Sequence, residues 1–222
     1  MREFRIHPWL FAALTAAAVV LIGVVAALIT HLAHDGPEKQ CVLNCPPPVF
    51  TKASGDEDFQ ASDTRAFADA AGFAVSYPSN WKVHPRGRGL VTFDTDDGGF
   101  FEVRVAPGAN LAQLITQRLK ALNPQTFPDL KVVGPIRGAH IGGTAGTGTL
   151  YGGTMVPGGG GGSAERIRFA IIAAKRGNVA LLVTAGDWYD RNVTSQIPTG
   201  MRDAPAIDYT LAQLRWPGAS GS

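Results

Sequence analysis

The sequence is poor in the residues and motifs on which most catalytic and metal sites depend. It holds two cysteines, Cys41 and Cys45, and its only histidines beyond residue 34 are His84 and His140. The patterns G-x-S-x-G, H-E-x-x-H and G-x-x-x-x-G-K-[ST] do not occur in it. The sequence therefore predicts no catalytic residue, no bound metal and no cofactor, and it favours a protein that is not an enzyme.

The chain also lacks an excess of charge of either sign. It has 20 Lys and Arg against 18 Asp and Glu, for a formal net charge of +2. Binding to a polyanion requires basic residues clustered on one face, so we expect no nucleic-acid partner. The chain is 45% hydrophobic and 17% charged, which is typical of one globular domain with attachments rather than of a disordered protein.

A long apolar stretch without charged residues lies near the N-terminus, from Trp9 to Thr30. As an α-helix it spans roughly 30 Å, the thickness of a bilayer's hydrocarbon core. A cleaved signal peptide is the competing interpretation, but its apolar region is shorter, about 7 to 15 residues, and a small-residue cleavage site follows it. We therefore expect an uncleaved transmembrane helix over residues 9–32, after a short tail over residues 1–8.

The charges that flank this stretch predict its orientation. Arg2 and Arg5 precede it, whereas Asp35, Glu38 and Lys39 follow it. An excess of Lys and Arg on the N-terminal side favours a cytoplasmic N-terminus. The expected location is therefore the cell membrane, crossed once, with the rest of the chain outside the cytoplasm.

The two cysteines are followed directly by three prolines. A thioredoxin-type dithiol has C-x-x-C at the start of a helix, and a metal site would need to recruit His31 and His34 without a rigid framework. In an oxidising compartment, neighbouring cysteines most simply form a disulfide. We predict a Cys41–Cys45 disulfide within a proline-rich, polar stalk and linker over residues 33–66.

From about Phe67 the hydrophobic pattern changes to a period of two, which is typical of β-strands. Glycine-containing turns at 96–99 and 177–178 predict hairpins, and the Gly-rich stretch 157–163 is interpreted as the tip of another. In the hairpin with the turn at 177–178, alternate apolar residues are expected to face one another across the ladder: Ile167, Phe169 and Ile171 against Leu181 and Val183.

Two stretches have helical periodicity. Asn110 is the predicted N-cap of a helix with one leucine-rich stripe, and Ile207, Leu211 and Leu214 share a face near the C-terminus. The predicted fold is α+β, an antiparallel sheet with packed helices over residues 67–217, preceded by one transmembrane helix and followed by a disordered tail over residues 218–222. Six residues are expected in its core: Phe101, Val103, Leu114, Phe169, Ile171 and Leu181.

Five segments of this region resemble the PsbP-like fold group, which includes the extrinsic photosystem II protein and a Ran-binding import factor. They are "GFAVSYPSNWKV", "LVTFDTDDGGFFEVRVAP", "NLAQLITQRLKAL", "RIRFAIIAAKRGNVALLVTAG" and "IDYTLAQLRWP". The resemblance implies a fold used for docking onto larger assemblies, mostly without catalysis. The predicted membrane helix and the Gly-rich stretch depart from these relatives. Taken together, the predicted anchor and the resemblance indicate a membrane-anchored module that binds or stabilises a complex, with another membrane or envelope protein as its partner.

Two groups of residues form the predicted contact surface. The first is the stretch Asp187, Trp188, Tyr189 and Asp190, and the second is Arg86 and Arg88 on a turn. Two carboxylates beside two aromatics also suggest the alternative function, a small-ligand-binding or hydrolytic domain with an acid and a base. The arginines suggest contact with an anionic lipid or polymer.

Overall fold

The computed structural model describes residues 49–50, 63–96, 98–107, 110–122, 126–156, 164–194, 197 and 199–218. The predicted tail and membrane span over residues 1–32, Cys41, Cys45 and the Gly-rich stretch 157–163 lie outside these ranges. No helix within the described ranges is long and apolar enough to cross a membrane.

Ten strands are present in the described part of the chain, and all their pairings are antiparallel. β1 and β2 form a separate two-stranded ribbon, while the main sheet has the order β3-β4-β5-β10-β9-β8-β6 with β7 also paired to β8. The bounds are β1 Thr64–Ala68, β2 Ala74–Pro78, β3 Lys82–Gly87, β4 Leu90–Asp94, β5 Phe100–Pro107, β6 Lys131–Pro135, β7 His140–Ile141, β8 Thr144–Met155, β9 Glu165–Arg176 and β10 Val179–Trp188.

Two helices pack with the sheet. Helix α1 (Leu111–Lys120) begins after Asn110, whose side-chain oxygen accepts the backbone N–H groups of Ala112 and Gln113 at 3.0 and 3.2 Å, as the sequence predicts. It packs on β8, β9 and β10, whereas helix α2 (Ala204–Ala212) packs against β2 and β7. The predicted α+β class, a mostly antiparallel sheet with helices, is confirmed.

The sheet is covered on both faces, and each face has its own apolar core. One core joins the sheet to α2 and the β1–β2 ribbon, and the other joins it to the leucine stripe of α1. All six residues predicted to lie in the core are buried: Phe101, Val103, Leu114, Phe169, Ile171 and Leu181.

The predicted facing of β9 against β10 is wrong. Phe169 and Ile171 lie in the α1 core, whereas Leu181 and Val183 lie in the α2 core. The turn explains the difference: it has two residues, so position 176 pairs with position 179 and every odd position pairs with an even one. The partner of Val183 is therefore Ile172 rather than Ile171.

The folded unit extends beyond the predicted boundary at Phe67. Phe50, within the predicted stalk and linker, is 1% exposed and belongs to the α2 core. The backbone N–H groups of Val49 and Phe50 donate to the carboxylate of Asp208 in α2 at 2.7 and 2.9 Å. A polar side chain on α2 thus fixes an early segment that sequence periodicity could not assign to the domain.

Candidate functional site: two arginines beside a groove

The six residues of the predicted contact surface lie at two opposite ends of the sheet. Arg86 and Arg88 occupy the end of β3 and the turn before β4, and strand pairing through β5 places Leu90 level with Leu182 at the start of β10. Trp188 ends β10 six positions after Leu182, which at 3.3 Å per residue is about 20 Å further along the sheet. The structure therefore does not bring the two groups together.

Asp187 is part of the interior, and its assignment to a contact surface is wrong. Its side chain is 0% exposed. One carboxylate oxygen accepts the backbone N–H of Trp188 and the other that of Asp203, the residue before α2, both at 2.7 Å. A negative charge near a helix N-terminus is favourable, so Asp187 holds the start of α2 against the end of β10.

The other three residues of this stretch are partly buried. The ring of Tyr189 stacks under the guanidinium of Arg168, whose central carbon lies 4.1 Å from the ring centroid. Asp190 pairs with Arg202 at 3.5 Å and accepts the backbone N–H of Asn192 at 2.8 Å. Because Asp187 has no exposure, it cannot meet a substrate, and the predicted pairing of an acid and a base at Asp187 and Asp190 lacks geometric support.

The turn before β4 forms one wall of a groove on the protein surface. The groove has a volume of about 270 Å³, and we call it the arginine groove. It lies between the end of β1 with the residues after it and the β3–β4 turn, and its lining residues are Phe67, Ala68, Asp69, Ala70, Pro85, Gly87 and Arg88.

Asp69 connects the two walls of the arginine groove. Its Oδ1 atom accepts the backbone N–H of Ala71 at 2.6 Å on one wall and that of Gly89 at 2.7 Å on the other. Gly89 has φ +78°, and a Cβ atom there would lie 3.3 Å from the Cβ of Val105. Glycine is therefore favoured at this position both by backbone conformation and by close packing.

Arg86 and Arg88 are both exposed. The pairing of β3 with β4 shifts register between Pro85 and Gly87, and Arg86 is the extra residue of this irregularity. Among the described residues, no carboxylate lies within 4.0 Å of either guanidinium. Two unpaired positive charges thus stand beside a mostly apolar groove.

A polar cluster lies beneath α1, and the sequence pattern did not predict it. Arg118 donates to Thr184 at 3.1 Å and to Glu102 at 3.2 Å, and Arg104 lies 3.6 Å from the other Glu102 oxygen. Burial lowers the pKa of Arg118, while the charge of Glu102 opposes that shift. The position of Arg118 in the sequence could have revealed its burial, because it follows Leu114 by four residues within the apolar stripe.

The described residues hold no group of three or more His, Cys, Asp or Glu side chains that could bind a metal. His84 contacts Asp94 at 2.8 Å, and His140 contacts the backbone oxygen of Gly138 at 3.1 Å. The cysteines and the histidines near the predicted span lie outside the described ranges.

No protein-family model matches the chain, and no curated protein matches it. Several solved structures do. The Ran-binding protein Mog1p of Saccharomyces cerevisiae matches at 8% identity over 69% of this chain and 95% of that chain, with a TM-score of 0.43. A structure from Bacteroides thetaiotaomicron matches at 16% identity and a TM-score of 0.41 over 71% of this chain, which spans 50% of that chain's length.

Two further solved structures extend the comparison. LpqN of Mycobacterium tuberculosis, described as involved in cell envelope biogenesis, matches at 12% identity over 69% of this chain and 90% of that chain, with a TM-score of 0.36. The cyanobacterial PsbP of Synechocystis matches at 9% identity over 73% of this chain and 98% of that chain, with a TM-score of 0.35. Mog1p, LpqN and PsbP share a PsbP/Mog1-like fold, the fold group that the sequence resembles, and the likeness is one of fold alone.

Proposed function

We propose that this chain is a single-pass membrane protein whose outer domain binds a protein of the membrane or envelope through the arginine groove. One contrast carries the proposal. The carboxylate of Asp187 is used inside the fold, whereas Arg86 and Arg88 are exposed and have no carboxylate within 4.0 Å among the described residues. Exposed charges beside an apolar groove favour recognition of a partner over catalysis.

The backbone hydrogen bonds around the two arginines support this role. Asp69 fixes both walls of the groove through backbone hydrogen bonds, and the backbone oxygen of Gly89 accepts the N–H of Val105 in β5 at 2.8 Å. A surface that is ordered before binding loses less conformational entropy when the partner docks. The turn therefore presents its charges from a framework tied to the main sheet.

Photo-cross-linking in native membranes tests this function. A photoreactive amino acid at position 70, where the exposed Ala70 lines the groove and both arginines are kept, should yield a discrete adduct with another membrane or envelope protein, identified by mass spectrometry. The matched control is position 137, because Arg137 is also exposed but follows β6 at the opposite edge of the sheet. Identical adducts from both positions, or none from position 70, would contradict the proposal.

The membrane anchor is a separate part of the proposal. It is supported by the uncharged run from Trp9 to Thr30 and by the arginines that precede it. Protease added to intact cells should remove the outer domain and leave the anchor in the membrane, with a cytoplasmic protein as the control. Protection of the domain in intact cells, together with its digestion in inverted vesicles, would show that the orientation is reversed.

The proposed stalk includes the Cys41–Cys45 disulfide. Such a bond closes a short loop, so it stabilises the domain little. Mapping of peptides under non-reducing conditions would detect it directly, and recovery of both cysteines as free thiols would refute it.

A further inference from the structure

We infer that the arginine groove binds an acidic peptide segment of the partner, in which a carboxylate side chain lies next to an apolar side chain. The inference rests on the proposed function and adds the chemistry of the ligand. The size of the groove, its lining and the charges at its rim support it.

The size of the groove points to side chains rather than to a whole small molecule. Its volume is about 270 Å³, slightly below the range of roughly 300 to 1,000 Å³ that is typical of pockets for small molecules. Most of the lining is apolar surface, which comes from Phe67, Ala68, Ala70 and Pro85. The groove therefore has room for an apolar side chain and a short length of the peptide that carries it.

The rim supplies the complementary charge. Arginine binds carboxylates through two parallel N–H···O bonds, so Arg86 and Arg88 suit an acidic side chain in the peptide. Asp69 also lines the groove, but its Oδ1 already accepts two backbone N–H groups. The hydrogen bonds that hold the two walls together thus partly compensate the nearest negative charge.

The number of arginines favours a peptide over an anionic membrane surface. Recognition of acidic lipids uses clusters of about four to eight Lys and Arg, whereas this rim has Arg86 and Arg88. Two positive charges suit one or two carboxylates at defined positions. The apolar lining also requires an apolar group beside the negative charge, which a lipid headgroup does not provide.

Selection from a random peptide library displayed on phage tests the inference. The target is the full chain in nanodiscs of phosphatidylcholine, which is electrically neutral, with counter-selection on the Arg86→Gln/Arg88→Gln double variant. Enriched peptides should carry Asp or Glu close to a large apolar residue. Their binding should weaken about tenfold or more in the double variant, because charge-assisted hydrogen bonds are lost, and should be unchanged in Arg137→Gln.

A charge exchange makes the test specific to the rim. The Arg88→Glu variant should lose the acidic peptides and bind versions in which their acidic residues are replaced by Lys. Enriched peptides without acidic residues, or the absence of any peptide that binds the unchanged chain but not the double variant, would overturn the inference. Binding that requires phosphatidylglycerol in the nanodisc and not the peptide's carboxylates would assign the rim to lipid and overturn it too.

The two proposals can fail separately. A cross-linked partner at position 70 without any arginine-dependent acidic peptide would retain the proposed function and reject the acidic ligand. Arginine-dependent acidic peptides without a cross-linked partner in native membranes would support the chemistry of the groove and reject the proposed function.

Discussion

Replacement of Asp187 gives a quantitative test of its place in the interior. Its carboxylate is 0% exposed and accepts the backbone N–H groups of Trp188 and Asp203, each at 2.7 Å. Asp187→Ala leaves two partly buried N–H groups without this acceptor, and an unsatisfied buried donor costs about 1 to 3 kcal/mol. The expected loss of unfolding free energy is therefore about 2 to 6 kcal/mol. Asp187→Asn retains one acceptor oxygen, so about half of that loss is expected.

Thermal unfolding of the full chain in nanodiscs, followed by tryptophan fluorescence, measures the effect. A change of 1 kcal/mol shifts the Tm of a domain of this size by about 2 to 4 °C, so Asp187→Ala should lower it by about 5 °C or more. The matched control is Asp190→Asn, because the Asp190 side chain is 21% exposed and its ion pair with Arg202 is 3.5 Å long. Such pairs contribute at most about 1 kcal/mol.

Two results would refute this reasoning. One is an Asp187→Ala variant that unfolds within about 2 °C of the unchanged chain, which is less than the loss of even one buried acceptor predicts. The other is an Asp187→Asn variant of full stability that has lost a turnover present in the unchanged chain, assayed on cell-wall sugars and phosphoesters. That second result would restore the hydrolytic alternative.

Three further substitutions test the core, the polar cluster and the turn. Phe169→Ala should cost about 3 to 5 kcal/mol because Phe169 is fully buried beneath α1, and a cost below about 1 kcal/mol in denaturant unfolding would contradict that placement. Arg118→Met removes the nearer of the two cations beside Glu102 and leaves Arg104 at 3.6 Å, so it should cost about 1.5 to 3 kcal/mol, the contribution of a hydrogen bond to a charged group. Adding Glu102→Leu should recover most of the loss, and equal Tm values for single and double variants would refute the coupling. Gly89→Ala should lower the Tm more than Gly138→Ala, because both glycines have positive φ but only Gly89 has side chains within 4 Å; the reverse order would contradict the crowding at Gly89.

Sequence periodicity predicted those elements in which an apolar face alternates with a more polar one. Phe101 and Val103 alternate with Glu102 and Arg104, and the stripe of α1 contains Leu114, so a buried side could be assigned to each element. Periodicity could not assign the faces of β9 and β10, because both faces are apolar and shifting the register by one residue leaves the pattern unchanged. The length of the turn between them decides which residues face each other.

The candidate site was only partly visible in the sequence. Arg86 and Arg88 stand on a turn, as the pattern of glycines and proline indicated, but the groove beside them exists because β1 and the residues after it pack against that turn. The burial of Asp187 could have been predicted from the two-residue alternation of a strand, since it follows Val183 and Ala185 on the face of β10 that packs toward α2. Acidic side chains are usually exposed, but Asp187 is buried because its two oxygens accept backbone N–H groups.

The three carboxylates of Asp69, Asp187 and Asp208 perform the same structural task. Each accepts two backbone N–H groups, at least one from a segment outside the main sheet. Such charge-assisted bonds fix irregular backbone that has no partner strand. For Asp69 the two donors lie on the walls of the arginine groove, so the hydrogen bonds that fix these walls also partly compensate its negative charge. Among the described residues no carboxylate lies within 4.0 Å of Arg86 or Arg88, and the rim of the groove therefore keeps its positive charge.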